Sequence, residues 1–252
     1  MSDMLAAKRA LALLDLTDLA EDSNAASVRA LCQRAIGGPA PVAAICIWPR
    51  FIGAAREALG GSSMRIATVV NFPAGGTDVA AVTDETQAAL DAGADEIDLV
   101  LPWRAFLQGD HESARDMVER VKRSCGANAL KVILETGEYP DLDHVREASE
   151  LAIACGADFI KTSTGKTAHS ASLAAARTML TVIAAVGRPV GLKPSGGIRT
   201  LADATGYLAL ADEIMGTHWA GPETFRFGAS GLHQVLVDVV AGGAAGQASG
   251  PY

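Results

Sequence analysis

The segment GADFIKTSTGK (Gly156–Lys166) and the earlier segment GADEIDLVLP (Gly93–Pro102) decide the fold, because both open an apolar strand directly after a helical stretch. A shorter copy of the same pattern, ADEI, occupies Ala211–Ile214. The three copies lie 63 and then 54 residues apart, about two strand–helix units each time. This repetition predicts a chain in which β-strands and α-helices alternate regularly.

Short apolar runs continue this alternation along the chain. The eight candidate strands are Ala43–Ile47, Arg65–Val70, Glu96–Leu101, Lys131–Glu135, Phe159–Thr162, Val190–Lys193, Glu213–Met215 and Thr224–Phe227. Strands that alternate with helices pair in parallel, and eight such units close into a barrel. The sequence therefore predicts an α/β protein with a single (β/α)8 TIM barrel over residues 1–240. A flexible tail rich in Gly and Ala is predicted over residues 241–252.

The composition argues against several classes of protein. Of the 252 residues, 49% are hydrophobic and 20% are charged, which is typical of a chain with a sizeable core. The net charge of −8 argues against a nucleic-acid-binding protein, and no run of about 18 apolar residues predicts a membrane span. The segment Met1–Asp18 is predicted to be a short amphipathic helix and not a signal peptide. Four widely spaced cysteines favour reduced thiols in the cytoplasm.

Strand periodicity places two charged residues inside the predicted barrel. Ile97 and Leu99 are expected to face the helices, so Asp98 between them faces the interior. The same alternation turns Lys161 inward. The two predicted strands, the third and the fifth, are separated by one other, and each interior layer takes side chains from alternate strands. We therefore expect Asp98 and Lys161 to share a layer.

The lysines stand out because the chain has 15 arginines and only six lysines. Lys161, Lys166 and Lys193 lie at or just beyond the ends of two neighbouring predicted strands, the end at which such barrels carry their active sites. A buried lysine is costly unless it is paired or loses its proton. One interpretation is a structural ion pair between Lys161 and Asp98. We favour an amine nucleophile that forms a Schiff base with a carbonyl, with Lys193 as the nearby cation that lowers the nucleophile's pKa.

Three glycine-containing loops follow the later strands. They are Thr164-Gly165-Lys166, Ser195-Gly196-Gly197 and Gly228-Ala229-Ser230-Gly231. Glycine allows backbone N–H groups to approach an anion, and the last two loops run into predicted helices. A single glycine in such a loop is ordinarily only a turn, but the three loops together predict a phosphate site.

Segments in order across nearly the whole chain resemble the deoxyribose-phosphate aldolase family of class I aldolases. FIKTSTGK and KPSGGIRT are the most specific. The matching segments are DLTDL (Asp15–Leu19), AAICIWPRF (Ala43–Phe51), RIATVVNFPAG (Arg65–Gly75), GADEIDLVLP (Gly93–Pro102), KVILETGE (Lys131–Glu138), GADFIKTSTGK (Gly156–Lys166), GLKPSGGIRT (Gly191–Thr200) and FRFGAS (Phe225–Ser230). The resemblance implies reversible cleavage of 2-deoxy-D-ribose 5-phosphate to D-glyceraldehyde 3-phosphate and acetaldehyde, with no metal and no cofactor. The implied partners are small phosphorylated sugars and aldehydes.

The resemblance also implies roles for single residues. Lys161 matches the Schiff-base lysine, Lys193 the lysine that perturbs it, and Asp98 the carboxylate that moves protons together with Lys193 and a bound water. The positions that match the phosphate end or the substrate pocket are Gly165, Lys166, Gly197, Gly228 and Ser230, and Asp15, Thr17, Cys46 and Thr164. Gly231 stands where many members have a second serine, so one hydroxyl contact to phosphate is missing. In some members a terminal tyrosine enters the site, which makes Tyr252 a candidate proton relay.

Other features of the sequence leave alternatives open. The five histidines are scattered without ligand spacing, which disfavours metal-dependent chemistry. Glu135 is either a polar residue of a barrel layer or a partner of the lysines, and we lean to the second. A different Schiff-base barrel enzyme and a non-catalytic sugar-phosphate-binding barrel are the two rival functions. The oligomeric state is not fixed by the sequence, and a homodimer or homotetramer stays open.

Overall fold

The computed structural model describes residues 2–243 and 246, which contain eight strands and ten α-helices. The strands are β1 (Leu14–Asp18), β2 (Ala44–Ile47), β3 (Arg65–Val70), β4 (Glu96–Val100), β5 (Ala129–Ile133), β6 (Phe159–Lys161), β7 (Gly191–Lys193) and β8 (Phe227–Ala229). The helices are α1 (Asp3–Ala12), α2 (Ala25–Gly37), α3 (Ile52–Leu59), α4 (Val79–Asp91), α5 (Trp103–Leu107), α6 (His111–Cys125), α7 (Leu142–Ala154), α8 (Leu173–Ala185), α9 (Leu201–Met215) and α10 (Leu232–Val240). Within these residues, no helix is long and apolar enough to cross a membrane.

The strands form one parallel sheet in the order β7-β6-β5-β4-β3-β2-β1-β8. Backbone hydrogen bonds close the remaining seam between β7 and β8. The Leu192 N–H donates to the Thr224 carbonyl oxygen at 2.9 Å, and the Arg226 N–H donates to the Leu192 carbonyl oxygen at 3.0 Å. The Gly228 N–H donates to the Pro194 carbonyl oxygen at 2.9 Å. The sheet is therefore closed on itself, and the prediction of a (β/α)8 barrel is confirmed.

The prediction of a helix over Met1–Asp18 is wrong for its last part, Leu14–Asp18, which forms a strand. Helix α1 ends at Ala12, and the buried segment LDLTD of β1 begins only two residues later. No glycine or proline separates the two elements, so helical periodicity runs through the junction and hides it. The break occurs at Leu13, whose backbone (φ −106°, ψ 7°) leaves the helical region. Burial in the sheet, between β2 and β8, is what makes this segment a strand.

The prediction of a strand over Glu213–Met215 is also wrong, because these residues form the last turn of α9. The ADEI copy at Ala211–Ile214 is helical, and its two acids pair with arginines of neighbouring helices. Asp212 accepts two hydrogen bonds from Arg9, at 2.6 and 2.7 Å, and Glu213 pairs with Arg177 at 2.8 Å. The last predicted strand, Thr224–Phe227, is shifted to Phe227–Ala229 in the structure.

With these corrections the strand numbers change, but Asp98 and Lys161 still lie on two strands that are separated by one other. The two remaining copies of the repeat open β4 and β6, with β5 between them. Outward residues such as Ile97, Leu99 and Ile160 are fully buried in the apolar core that lies between the sheet and the helices. The intervening Asp98 and Lys161 are left to the barrel interior.

Side-chain caps fix where most of the outer helices begin. Asn24 and Thr200 form capping boxes at the starts of α2 and α9. Asp110 and Asp141 accept hydrogen bonds from the first turns of α6 and α7, and Ser172 does so for α8. Such caps satisfy N–H groups that have no partner within the helix. They therefore fix how far each βα loop extends before its helix begins.

Candidate active site

Asp98 is the centre of a buried ionic cluster inside the barrel. Its Oδ2 atom accepts hydrogen bonds from Lys161 Nζ at 2.8 Å and from Lys193 Nζ at 2.7 Å. Lys161 ends β6 and Lys193 ends β7, and these two residues lie opposite each other in the parallel register. All three side chains are at most 1% exposed. The structure thus confirms that Asp98 and Lys161 share a layer and brings Lys193 to the same oxygen.

A third lysine, which the sequence analysis missed, contacts the other oxygen of Asp98. Lys131 on β5 donates to Asp98 Oδ1 at 2.9 Å and also pairs with Glu96 at 2.6 Å. Asp98 and Lys131 are register partners on adjacent strands, so both face the interior. The signal was present, because Lys131 stands between Leu130 and Val132 with the same alternation as Asp98.

Asp15 and Arg226 extend the cluster toward β1 and the residues just before β8. Asp15 pairs with Lys193 at 2.5 Å and with Arg226 at 2.6 Å. Arg226 also pairs with Glu96 at 2.9 Å. Asp15 was expected in the substrate pocket, and the structure places it among these buried ion pairs. Glu96 and Arg226 were not singled out by the sequence analysis, although apolar neighbours flank Arg226 on both sides.

The electrostatics of the cluster hold Asp98 ionised and Lys193 protonated. Burial raises the pKa of Asp98, but the three surrounding lysines outweigh it and hold that pKa well below its usual range. Burial lowers the pKa of Lys193, but the carboxylates of Asp15 and Asp98 raise it well above its usual range. Four buried cations, Lys131, Lys161, Lys193 and Arg226, face three buried carboxylates, Asp15, Glu96 and Asp98. The cluster therefore has one positive charge in excess when every member is ionised.

An apolar wall lies beside the ionic cluster. Cys46, Ala67, Val69 and Leu19 pack together, with Trp48 and Phe72 against them. Burial raises the pKa of Cys46, so its side chain is a neutral thiol in this wall. Cys46 is fully buried in this wall, and its expected place in the lining of the substrate pocket stays a prediction.

A cavity of about 330 Å³ opens at the carboxyl-terminal mouth of the barrel. Its lining includes Thr17, Gly165, Lys166 and Ser230, which the sequence analysis expected around a substrate. Lys166 Nζ donates to the Leu19 carbonyl oxygen at 2.8 Å, so its ammonium group reaches across the mouth from the β6 loop to the β1 loop. The structure therefore brings the predicted phosphate-end residues of β6 and β8 together with the end of β1.

Two of the glycines pack at close range. A Cβ atom on Gly196 would lie 3.3 Å from the Cα atom of Gly165, so the β7 loop rests directly on the β6 loop, and Gly197 follows in the left-handed region at φ 79°. Gly228 lies inside β8, where a Cβ atom would be 2.3 Å from Ser195 Oγ and 3.2 Å from Lys193 Cε. Gly228 therefore makes room for Lys193 and lies deeper than the cavity lining.

Glu135 does not hydrogen-bond to the lysines. Its carboxylate accepts hydrogen bonds from Thr164 and Thr167 in the loop after β6. Thr164, which was expected to line the substrate pocket, belongs to that loop and is fully buried. Tyr252, the candidate proton relay, lies outside the described residues. Within residues 2–243, no three His, Cys, Asp or Glu side chains are grouped so as to hold a metal ion.

Comparisons with known proteins agree with this geometry. The family model described as DeoC/LacD family aldolase matches residues 9–247. A deoxyribose-phosphate aldolase of Agrobacterium fabrum is 54% identical over 249 residues, which cover 98% of this chain and 96% of that protein. A crystal structure of an apo Toxoplasma gondii protein, with proposed deoxyribose-phosphate aldolase activity, has a TM-score of 0.87 and 26% identity, and covers 95% of this chain and 98% of its own.

A tetrameric deoxyribose phosphate aldolase of Aeropyrum pernix has a TM-score of 0.72. At 24% identity, with 94% of this chain and 92% of the other covered, that likeness supports the fold alone. The family model and the Agrobacterium fabrum relative go further, because they cover nearly the whole chain. The chain belongs to the DeoC/LacD aldolase family.

Proposed function

We propose that this protein is a class I aldolase that reversibly cleaves 2-deoxy-D-ribose 5-phosphate to D-glyceraldehyde 3-phosphate and acetaldehyde. The observation that carries the proposal is the pair of buried lysines, Lys161 and Lys193, on one oxygen of Asp98. The relative that is 54% identical bears the name of this activity. A protonated imine withdraws electrons from the neighbouring carbon, so this chemistry calls for neither metal nor cofactor.

Lys161 is the proposed nucleophile because it has the fewest carboxylate contacts in the cluster. Lys131 also pairs with Glu96, and Lys193 also pairs with Asp15. Loss of one proton from Lys161 leaves the cluster with equal numbers of positive and negative charges. Asp98 keeps Lys131 and Lys193 as cationic partners when Lys161 gives up its proton to react, so the reaction leaves no carboxylate of the cluster unpaired.

The proposed reaction begins when the neutral amine of Lys161 adds to C1 of the open-chain sugar. The resulting carbinolamine loses water to give the iminium ion. Removal of the proton from the C3 hydroxyl then breaks the C2–C3 bond, whose electron pair moves toward the iminium nitrogen and leaves an enamine. D-Glyceraldehyde 3-phosphate departs, a proton adds to C2 of the enamine, and hydrolysis of the new iminium ion releases acetaldehyde and the Lys161 amine. Asp98 and Lys193 are the proposed acid–base groups, because they contact Lys161 or its partner oxygen directly.

The mouth cavity is the proposed phosphate end of the site. Lys166 supplies a cation there, and Gly165, Gly197 and Ser230 belong to the loops that follow β6, β7 and β8. Backbone N–H groups in such loops can bind phosphate without side chains. Gly231 is the first residue before α10, so its N–H is a further candidate donor where a serine hydroxyl is missing.

Borohydride reduction in the presence of 2-deoxy-D-ribose 5-phosphate tests the proposal. We expect a covalent adduct on Lys161, found by mapping the peptide that contains residues 159–166. Lys161→Arg abolishes trapping, because a guanidinium group stays protonated and cannot add to a carbonyl. An adduct on Lys193 would overturn the role assignment. Absence of any adduct would favour a sugar-phosphate-binding protein. Analysis of the products with acetaldehyde as donor separates this aldolase from a Schiff-base enzyme with another donor.

We also propose residues 1–240 as the catalytic domain and Tyr252 as a proton relay to the enamine carbon. Most of the predicted tail, residues 244–245 and 247–252, lies outside the described residues. Four free, buried cysteines support a cytoplasmic location. A homodimer or homotetramer is also proposed, and analytical ultracentrifugation can test it.

A further inference from the structure

Glu135 has an unusual backbone conformation. It lies just after β5 with φ 61° and ψ 49°, in the left-handed region that residues other than glycine and asparagine rarely adopt. Its side chain is fully buried although it is ionisable. A strained and buried carboxylate costs free energy and is retained only where its surroundings hold it in place. The contacts of Glu135 therefore indicate what the residue does.

The carboxylate of Glu135 is bound by the loop that follows β6. The Thr164 N–H donates to Oε1 at 3.1 Å, and the Thr164 hydroxyl donates to Oε2 at 2.5 Å. The Thr167 hydroxyl lies 3.4 Å from Oε1. The left-handed backbone is what aims the side chain of Glu135 toward these groups and away from the barrel interior.

The hydrogen bond between Thr164 and Glu135 also orients the phosphate-end lysine. The Thr164 oxygen accepts the Lys166 N–H at 3.0 Å, while the Thr164 proton is directed at Glu135. The chain of bonds therefore runs from the Lys166 backbone through the Thr164 hydroxyl to the Glu135 carboxylate. The Thr164 hydroxyl thus donates its single proton to Glu135, and the direction of that bond orients a lone pair of the oxygen toward the Lys166 N–H.

The turn after β5 and the loop after β6 are also in close contact elsewhere. A Cβ atom on Gly137 would lie 2.3 Å from the His169 carbonyl oxygen. Gly137 belongs to the turn that Glu135 begins, and His169 belongs to the β6 loop. The contacts between the β5 turn and the β6 loop therefore also set the position of Lys166 across the mouth of the barrel.

We infer that Glu135 is a positioning residue that sets the affinity for the phosphate group of the substrate, acting through Thr164 on the backbone of Lys166. The inference rests on the proposed function for its substrate. It assigns Glu135 no part in bond making or breaking, because its hydrogen bonds go to Thr164 and Thr167 and not to Lys161. It also explains why a buried carboxylate is kept in a strained conformation beside the reaction site.

The test compares phosphorylated with unphosphorylated sugar. In Glu135→Gln the amide can accept only at its oxygen, so one of the two Thr164 bonds is lost. We expect KM for 2-deoxy-D-ribose 5-phosphate to rise about tenfold, in line with the loss of a hydrogen bond to a charged group. The values of kcat and of kcat/KM for 2-deoxy-D-ribose should stay near those of the parent. Glu138→Gln is the matched control, because it removes a carboxylate of the same turn that is not an acceptor for Thr164.

Two further variants separate positioning from a backbone role and from misfolding. Glu135→Gly relieves the left-handed strain but has no carboxylate, so it should lose phosphate affinity as Glu135→Gln does. Thr164→Val should raise KM for the phosphorylated sugar, and the double variant Glu135→Gln/Thr164→Val should be little worse than Thr164→Val alone. Thr164→Ser should recover most of the affinity. If Glu135→Gln fails to fold, the comparison of valine with serine at Thr164 still decides the question.

Three results would overturn the inference. The first is an equal rise in KM for both sugars in Glu135→Gln. The second is a Glu135→Gly variant that has the KM of the parent for the phosphorylated sugar. The third is a set of fully additive effects of Glu135→Gln and Thr164→Val on that KM. Calorimetric binding of inorganic phosphate to the same variants gives a readout that needs no turnover. If the parent protein does not cleave the sugar phosphate, the proposed function fails. The inference about Glu135 is then decided by phosphate binding alone.

Discussion

Asp98→Asn is the most informative single substitution in the ionic cluster. It keeps the shape of the side chain but removes the charge that three ammonium groups share at 2.7 to 2.9 Å. Lys131 keeps Glu96 and Lys193 keeps Asp15, whereas Lys161 has no other carboxylate partner among residues 2–243. The effect of the substitution should therefore be concentrated on Lys161.

The structure gives the expected magnitudes. Breaking a buried ion pair costs about 3–5 kcal/mol, and we expect the lower end because two of the three lysines remain paired. The free energy of unfolding of Asp98→Asn, measured by urea denaturation, should therefore lie about 3 kcal/mol below that of the parent. Turnover should fall by about 10²–10⁴-fold, the usual contribution of a general acid–base group.

Two assays on the same variant separate addition from proton transfer. Borohydride trapping at Lys161 should persist and extend to lower pH, because the amine no longer faces a carboxylate. Hydrogen–deuterium exchange at the methyl group of acetaldehyde should fall with turnover. Asp116→Asn is the control, since Asp116 lies on the surface of α6 and pairs only with Arg120 among the described residues. An exchange rate equal to that of the parent would refute the role of Asp98, as would trapping that falls as far as turnover.

Four more expectations follow from the same geometry. Lys193→Leu should lower turnover and move borohydride trapping at Lys161 to higher pH, because Asp98 then interacts more strongly with the Lys161 ammonium group. An unchanged pH profile of trapping would show that Lys193 does not activate Lys161. Lys131→Met should lower the free energy of unfolding in urea by about 3–5 kcal/mol, because two carboxylates lose their shared cation; a change below about 1 kcal/mol would contradict this. The urea midpoint of the parent should fall above about pH 10, where the unfolded chain releases a lysine proton that folded Lys193 keeps because its pKa is raised, and below about pH 4, where the unfolded chain binds a proton that folded Asp98 excludes because its pKa is lowered. Tyr252→Phe should lower turnover and methyl-proton exchange while trapping stays nearly intact; turnover like that of the parent would exclude a catalytic role for the tail.

The part of the site that could be predicted is the part governed by strand periodicity. Alternation along a strand has a period of two, so Ile97 and Leu99 fix the direction of Asp98 without knowledge of any other strand. The same rule applied to Lys131 and Arg226 gives the correct direction, because each stands between two apolar residues. Their partners depend on the register between strands, which a single sequence does not contain.

The errors lie where tertiary contacts override local pattern. The junction between α1 and β1 has no turn residue, and only burial between β2 and β8 makes LDLTD a strand. The ADEI copy at Ala211–Ile214 matches the strand pattern but continues α9, a helix that begins at a capping box and buries one apolar side up to Ala211. For Glu135 the sequence left two roles open, a polar residue of a barrel layer or a partner of the lysines, and only the left-handed backbone shows that its hydrogen bonds go to Thr164.

The ionic cluster restricts how a sequence with this fold can change over evolutionary time. A carboxylate shared by three lysines has no single compensating substitution, because restoring one pair leaves two others broken. Any series of single substitutions that replaces Asp98 therefore passes through proteins of lower stability. Arg9 of α1 and Asp212 of α9 form an outer pair in which, among the described residues, each is the other's only ionic partner, and an apolar pair of similar volume could replace both together at little cost. Among members of the family, we therefore expect the outer pair to vary in concert while the residue at the centre does not vary at all.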